Sequence, residues 1–195
     1  KLNEQSEILY LSRCPDVINA QEGFFDVESV WPKLEQALRQ AISNLVAMRE
    51  TEGSNIYGDF IKRADLIAEK LAVIEERSPQ VVEEYQIRLS DRINELLAKH
   101  NQVIEPERLL QEVAIFADRT SITEEIVRLK SHIKQFKLII DADQPVGRKL
   151  DFLIQEFNRE ANTIASKAND YTLAQVVVEI KAEIEKIREQ IQNIE

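Results

Sequence analysis

From residue 34 to residue 191 the apolar residues of this chain return at spacings of three and four. That rhythm follows the 3.6-residue turn of an α-helix and gathers each set on one face, so nearly everything after residue 28 reads as amphipathic helix. Leu34, Leu38, Ala41, Leu45 and Met48 make the first stripe, with Ser29 as its N-cap, Pro32 in its first turn and Gly53 as a stop. Ile56, Phe60, Ala64, Ile67, Leu71 and Ile74 make a second, ended by Ser78-Pro79. Val82, Tyr85, Leu89, Ile93 and Leu96 make a third, fading at His100-Asn101, where His100 is read as compensating the helix dipole. Long helices with short connections predict antiparallel hairpins within an arm over 28–104, projecting in the manner of a coiled coil.

Residues 105–195 read as a C-terminal helical domain. A helix over 106–117 begins near Pro106, and Ser121 with Glu124 fits a capping box opening the next. The core stripe of that next helix is Ile122, Ile126, Leu129, Ile133, Phe136 and Ile140. A loop from Asp141 to Gly147 leads into GRKLDFLIQEFNREANTIASK (147–167), and a last helix spans about 172–193. Residues 1–27 lack helical period and read as the tail of a preceding β-containing module or a linker. With the chain beginning on Lys1 rather than Met, they suggest a piece of a longer protein. The fold class expected is therefore mainly α, a bundle of long antiparallel helices.

Composition narrows the function classes. One cysteine, Cys14, excludes an internal disulfide framework and a multi-cysteine metal site. No apolar run approaches the ~20 residues of a membrane span. Four glycines leave little room for a Gly-rich phosphate loop, and no Walker loop, G-x-S-x-G or H-E-x-x-H occurs. A net charge of −10 argues against indiscriminate nucleic-acid binding. The charge is uneven, however: residues 1–120 hold 14 bases against 22 acids, whereas residues 121–170 hold eight of each. An anionic ligand meets least repulsion in that second stretch.

Two polar faces lie within it. On 147–167, Leu150, Leu153, Ile154, Phe157, Ala161, Ile164, Ala165 and Ala168 share the apolar arc, with Asp151, Gln155, Asn158, Asn162 and Ser166 along one polar edge. Glu156, Glu160 and Lys167 run along the other, which Lys149 precedes on the same side. Glu156 and Glu160 form a like-charge i,i+4 pair that calls for a base or a bound cation. On the preceding helix Ser121, Glu125, Arg128 and His132 occupy one sector beside the apolar stripe. If the two helices pack antiparallel, Glu125, His132, Glu156 and Glu160 present oxygen and imidazole ligands suited to Mg²⁺ or Mn²⁺. Arg128, Arg148, Lys149, Arg159 and Lys167 then supply phosphate contacts, the mixture that metal-assisted phosphodiester cleavage requires. A solvated face laced with weak salt bridges stands beside this reading, since helices rich in Glu, Arg and Lys are usually that.

The chain resembles the bacterial YicC/YloC family of endoribonucleases. The resemblance rests on EEIVRLKSHIKQF (124–136), GRKLDFLIQEFNREANTIASK (147–167) and KAEIEKIREQIQNIE (181–195). Family members begin with an N-terminal module carrying a Ser-Met-Thr-Gly-Phe-Gly start, which this chain lacks. What the resemblance implies is a metal-dependent RNA-cleaving activity with Mn²⁺ or Mg²⁺, in a hexameric ring of identical subunits in the bacterial cytoplasm. It further implies His132, Glu156 and Glu160 as catalytic groups, and Glu125, His132, Asp151, Glu156 and Glu160 as metal candidates. Arg128, Arg148, Lys149, Gln155, Arg159, Asn162 and Lys167 are the implied RNA contacts. The rival expectations are an RNA- or protein-binding adaptor that recruits other RNA-degradation proteins without cutting, and a polar face that is simply the subunit interface.

Overall fold

Thr51–Glu195 forms one unit and Lys1–Glu50 another in the computed structural model, which describes residues 4–14, 27–98, 105–142, 144–192 and 194. The helices are α1 (Glu4–Leu11), α2 (Val27–Ala98), α3 (Pro106–Arg119), α4 (Thr123–Ile140), α5 (Gly147–Lys167) and α6 (Tyr171–Ile191). No strand occurs among the described residues, so the mainly α expectation holds. Gly23, His100, Asn101 and Asn193 lie outside the described residues, and with them the reading of His100 as a dipole cap.

In the second unit four helices share one core. Phe60, Ala64, Ile67, Leu71 and Ile74 of α2 meet Ile126, Leu129, Ile133 and Phe136 of α4. Leu150, Ile154, Phe157 and Ile164 of α5 and Val177, Ile180, Ile184 and Ile187 of α6 complete it. Cross-helix ion pairs give the directions. Arg63–Glu183, Lys70–Glu179 and Arg77–Asp170 descend along α6 as they ascend α2, and Lys137–Asp65 with Lys130–Glu75 does the same along α4. Both α4 and α6 are thus antiparallel to α2, as expected of a bundle with short connections. The short α3 caps one end, its Phe116 ring stacked on Tyr85 at 3.7 Å.

Three local expectations are corrected. The stops at Gly53 and Ser78-Pro79 do not occur, and instead of hairpins over 28–104 there is one 72-residue helix. A glycine inside a helix costs only about 1 kcal/mol, and nothing crowds Gly53. Pro79 costs about 3 kcal/mol, but Ile74 and Val81 on either side of it are both buried. Arg77 also spans the proline to hydrogen-bond Glu84 at 2.9 Å, so breaking the helix there would forfeit both anchors. The Ser121 capping box is absent as well. Ile122, not Ser121, holds the N-cap position of α4, because Ile122 is drawn into the core. Finally, residues 4–11 are helical although their sequence shows no helical period.

In the first unit Leu34, Leu38, Leu45 and Met48 are about half exposed, so this stripe lacks a partner among the described residues.

The side-chain cap the sequence pattern missed is Asp170, which accepts the Leu173 amide at 2.9 Å and the Arg77 guanidinium at 2.8 Å. Arg77 holds its carboxyl below the ordinary value of 3.8, with the α6 amides assisting against burial. A lowered folded value means this contribution is complete above the unfolded value and fades as pH falls through the folded one. Asp170→Ala is expected to lower stability by about 2 kcal/mol at neutral pH. Asp170→Asn keeps the cap but loses the charge, and is expected to show a flatter loss of stability below about pH 4. Urea unfolding from pH 3 to 7 checks both.

Candidate active site

The loop joining α4 to α5 is short, which forces the two helices side by side in opposite directions. Their apolar stripes fix the rotation of each, and the polar edges flanking those stripes then face one another in register. Glu125 meets Lys167 at 2.8 Å, Arg128 lies 3.7 Å from Glu160, and His132 falls against Glu156 and Glu160. Moving along α4 towards its C-terminus therefore means moving along α5 towards its N-terminus, one turn at a time.

The centre of this ladder is His132, Glu156 and Glu160, each of which offers a ligand atom within 4.8 Å of the others. One turn of helix separates the two carboxylates, since positions i and i+4 lie on one face. Phe157, stacked against the imidazole with ring centroids 6.3 Å apart, and Phe136 behind it keep the site's floor rigid. The electrostatics are unusual at Glu160. Glu160 is 3% exposed yet accepts no hydrogen bond among the described residues, and its basic neighbour Arg128 stands at 3.7 Å while hydrogen-bonding Glu124. The two other buried carboxylates each hold a base: Glu183 holds Arg63 and Lys186 at 2.7 and 2.6 Å, and Glu125 holds Lys167 through Oε1, while its Oε2 is buried with no hydrogen-bond partner among the described residues. Burying a carboxylate without donors is costly. Nδ1 of His132 is buried without a hydrogen-bond partner among the described residues. Two carboxylates and an imidazole with unspent coordinating capacity fit a divalent cation of the Mg²⁺ or Mn²⁺ type.

The structure sorts the remaining candidates. Glu125 does not join the cluster, because the register sets it opposite Lys167. Burial would raise its carboxyl, but the Lys167 ammonium, its own helix amide and Arg128 outweigh that and hold it below the usual carboxylate range. Asp151 also stands apart, accepting a hydrogen bond from Gln155 at 3.0 Å on the exposed edge. Arg159 reaches Glu156 at 3.6 Å. Asn162 is exposed, and so are Arg148 and Lys149, neither of which makes an ion pair among the described residues. Arg148 and Lys149 border a surface groove of about 410 Å³ that also takes in His132, Gln135, Ile139, Phe152, Leu153 and Glu156. Gln135 and Phe152 were not anticipated. The available signal was phase, since Phe152 lies one turn from both Arg148 and Glu156 on the same ridge.

Comparison with known proteins places these residues in a family context. Residues 74–195 match the model described as "Endoribonuclease YicC-like, C-terminal", and residues 1–58 match "Endoribonuclease YicC-like, N-terminal region". Part of the N-terminal region is therefore represented, although the Ser-Met-Thr-Gly-Phe-Gly start is not. The chain is 48% identical over 188 residues to a "Probable endoribonuclease YicC" of Clostridioides difficile (strain 630), covering 96% of this chain and 64% of that protein. It is 37% identical over 183 residues to the protein of the same description from Haemophilus influenzae (strain Rd), covering 94% and 62%. The chain thus spans less than two thirds of the length of these relatives.

Proposed function

The chain belongs to the YicC-like endoribonuclease family, and from that membership we propose that it cleaves RNA phosphodiester bonds with the help of a divalent cation, Mn²⁺ or Mg²⁺. The observation that carries this reading is the convergence of His132, Glu156 and Glu160 on one point, with Glu160 buried, accepting no hydrogen bond among the described residues and only loosely paired with Arg128 at 3.7 Å. Those three side chains would hold the ion. When bound, such an ion stabilises charge on phosphoryl oxygens and makes water a better nucleophile at neutral pH.

The rest of the face positions the substrate. Arg148 and Lys149 are exposed beside the groove, make no ion pair among the described residues, and suit the phosphates flanking the scissile bond. Arg159 and Arg128, each only loosely paired with a site carboxylate, can turn towards phosphate once a cation satisfies Glu156 and Glu160. Gln155 and Asn162 extend the polar edge where neutral contacts to sugar and base are made. Lys167 is largely committed to Glu125 and contributes through the field it adds rather than by direct contact. His132 serves as the nitrogen ligand or, if the ion sits on the carboxylates alone, as the acid/base group.

Assembly and location belong to the same proposal: a homo-oligomer, a hexameric ring by resemblance, acting in the cytoplasm. The half-exposed apolar stripe along the first part of α2 supports self-association, and no described helix is long and apolar enough to cross a membrane. A second reading, a non-cutting adaptor in RNA turnover, is favoured by the arginines already near Glu156 and Glu160. A chelator titration of highly purified protein on a labelled hairpin RNA separates the two. Turnover abolished by EDTA and restored by Mn²⁺ supports the enzyme, whereas binding without EDTA-sensitive turnover supports the adaptor.

A further inference from the structure

Resting on that reading of the site, we infer that Phe152 is a base-stacking platform, the residue that makes the groove select an unpaired nucleotide. The three phenylalanines of the bundle core, Phe60, Phe136 and Phe157, are at most 1% exposed, whereas Phe152 is 64% exposed. A lone exposed apolar side chain is ordinary and calls for no explanation. Phe152 is not alone. Its ring borders the groove of about 410 Å³, a volume within the range of small-ligand pockets. The groove's rim carries Arg148 and Lys149, whose charges no acid of the described residues neutralises, and the amide of Gln135. Its far wall is His132 and Glu156, two of the three groups that converge on the cleavage point.

Cations that track a backbone, combined with an aromatic face on which a base stacks, are the recurrent solution for binding single strands. Sequence-specific recognition of RNA likewise targets unstacked bases laid on aromatic rings. Spacing supports the match. Phe152 stands one turn before Glu156, about 6 Å along the helix axis, so a phosphate at the carboxylates leaves a neighbouring base within reach of the ring. A base in a duplex is stacked on its neighbours and cannot lie on Phe152. The site therefore prefers loops and unpaired junctions to continuous double helix. The charge pattern favours RNA over a protein partner here, because an apolar protein contact would gain nothing from two unneutralised cations on its rim.

The test is fluorescence anisotropy of a labelled, unstructured RNA oligonucleotide in EDTA, so that binding is read without turnover. Phe152→Ala is expected to weaken binding by about 5- to 100-fold, the loss typical of one stacked base. Phe152→Trp should restore it. Because the ring carries no charge, the salt dependence of binding should be unchanged in Phe152→Ala, whereas Arg148→Ala should make it shallower by about one phosphate. Wild-type affinity in Phe152→Ala overturns the inference and leaves the proposed function standing. A fall in sedimentation mass with unchanged RNA affinity also overturns it, showing Phe152 to be a contact between copies. No RNA binding by the wild-type chain sinks the proposed function, and the stacking platform with it.

Discussion

Glu160→Gln is expected to reduce Mn²⁺-dependent cleavage of a hairpin RNA by at least about 10²-fold, with no loss of thermal stability. The size follows from the role, since the cation that this carboxylate would help hold supplies several kcal/mol of transition-state charge stabilisation. The stability half of the prediction is the more diagnostic. Glu160 is buried and accepts no hydrogen bond among the described residues, and only Arg128 at 3.7 Å offsets the cost of desolvating its charge in the absence of a cation. A neutral isostere removes that cost, and the melting temperature should hold or rise. A residue kept for structure behaves in the opposite way, losing stability with its charge. His132→Ala should likewise lose cleavage while retaining the helical circular-dichroism spectrum, because the imidazole lies at the edge of the core and not within it. Wild-type-like cleavage by both variants would sink the site assignment.

Phe136→Ala is expected to give the largest loss of stability of any single substitution considered, about 3–5 kcal/mol. The ring is fully buried where α2, α4 and α5 meet. It packs edge-on against Phe60 with centroids 5.5 Å apart, and at 5.9 Å against Phe157. Deleting it leaves a cavity between helices that cannot easily close, and removes aromatic pairings worth about 0.5–1.5 kcal/mol each. For a chain of this size that corresponds to a fall in melting temperature of about 10 °C. The effect should reach the site, because Phe157 loses its backing and is the ring that supports His132. Cleavage at temperatures well below unfolding is therefore expected to fall more than the folded fraction does. A melting temperature within 2 °C of wild type, read by calorimetry, would contradict the packing assigned to this ring.

Helix periodicity carried the fold a long way because apolar spacing records burial directly. The stripes on α4, α5 and α6 are the core that forms, and the second stripe on α2 is its fourth wall. What periodicity cannot record is whether a local breaker wins against tertiary packing. Gly53 and Pro79 are stops by propensity, but burial on both sides of Pro79 and the Arg77–Glu84 clamp outweigh a few kcal/mol of local cost. Nor does it show that a stripe has a partner, as the exposed Leu34–Met48 face illustrates. The site shows the same division. That His132 lies on the polar edge of α4, and Glu156 with Glu160 on a polar edge of α5, was legible from their positions. Which acid meets which base depends on the register between α4 and α5, and one turn of slip reassigns every pair. Glu125 and Lys167 were both singled out, yet the structure makes them partners of each other. Asp151 was a metal candidate by the family resemblance but sits on the exposed edge with Gln155. Phe152 escaped because an aromatic beside an apolar arc is usually core, and only its exposure shows otherwise.

The central claim is that a divalent cation sits among His132, Glu156 and Glu160. Anomalous scattering from crystals of the full-length protein soaked in Mn²⁺ tests it most directly. The expected result is a manganese peak within coordinating distance of a ring nitrogen of His132 and a carboxylate oxygen of each glutamate, with Arg128 displaced from Glu160. A map at a Mn²⁺ concentration that supports cleavage, with no peak among the three residues and Arg128 still beside Glu160, would contradict it.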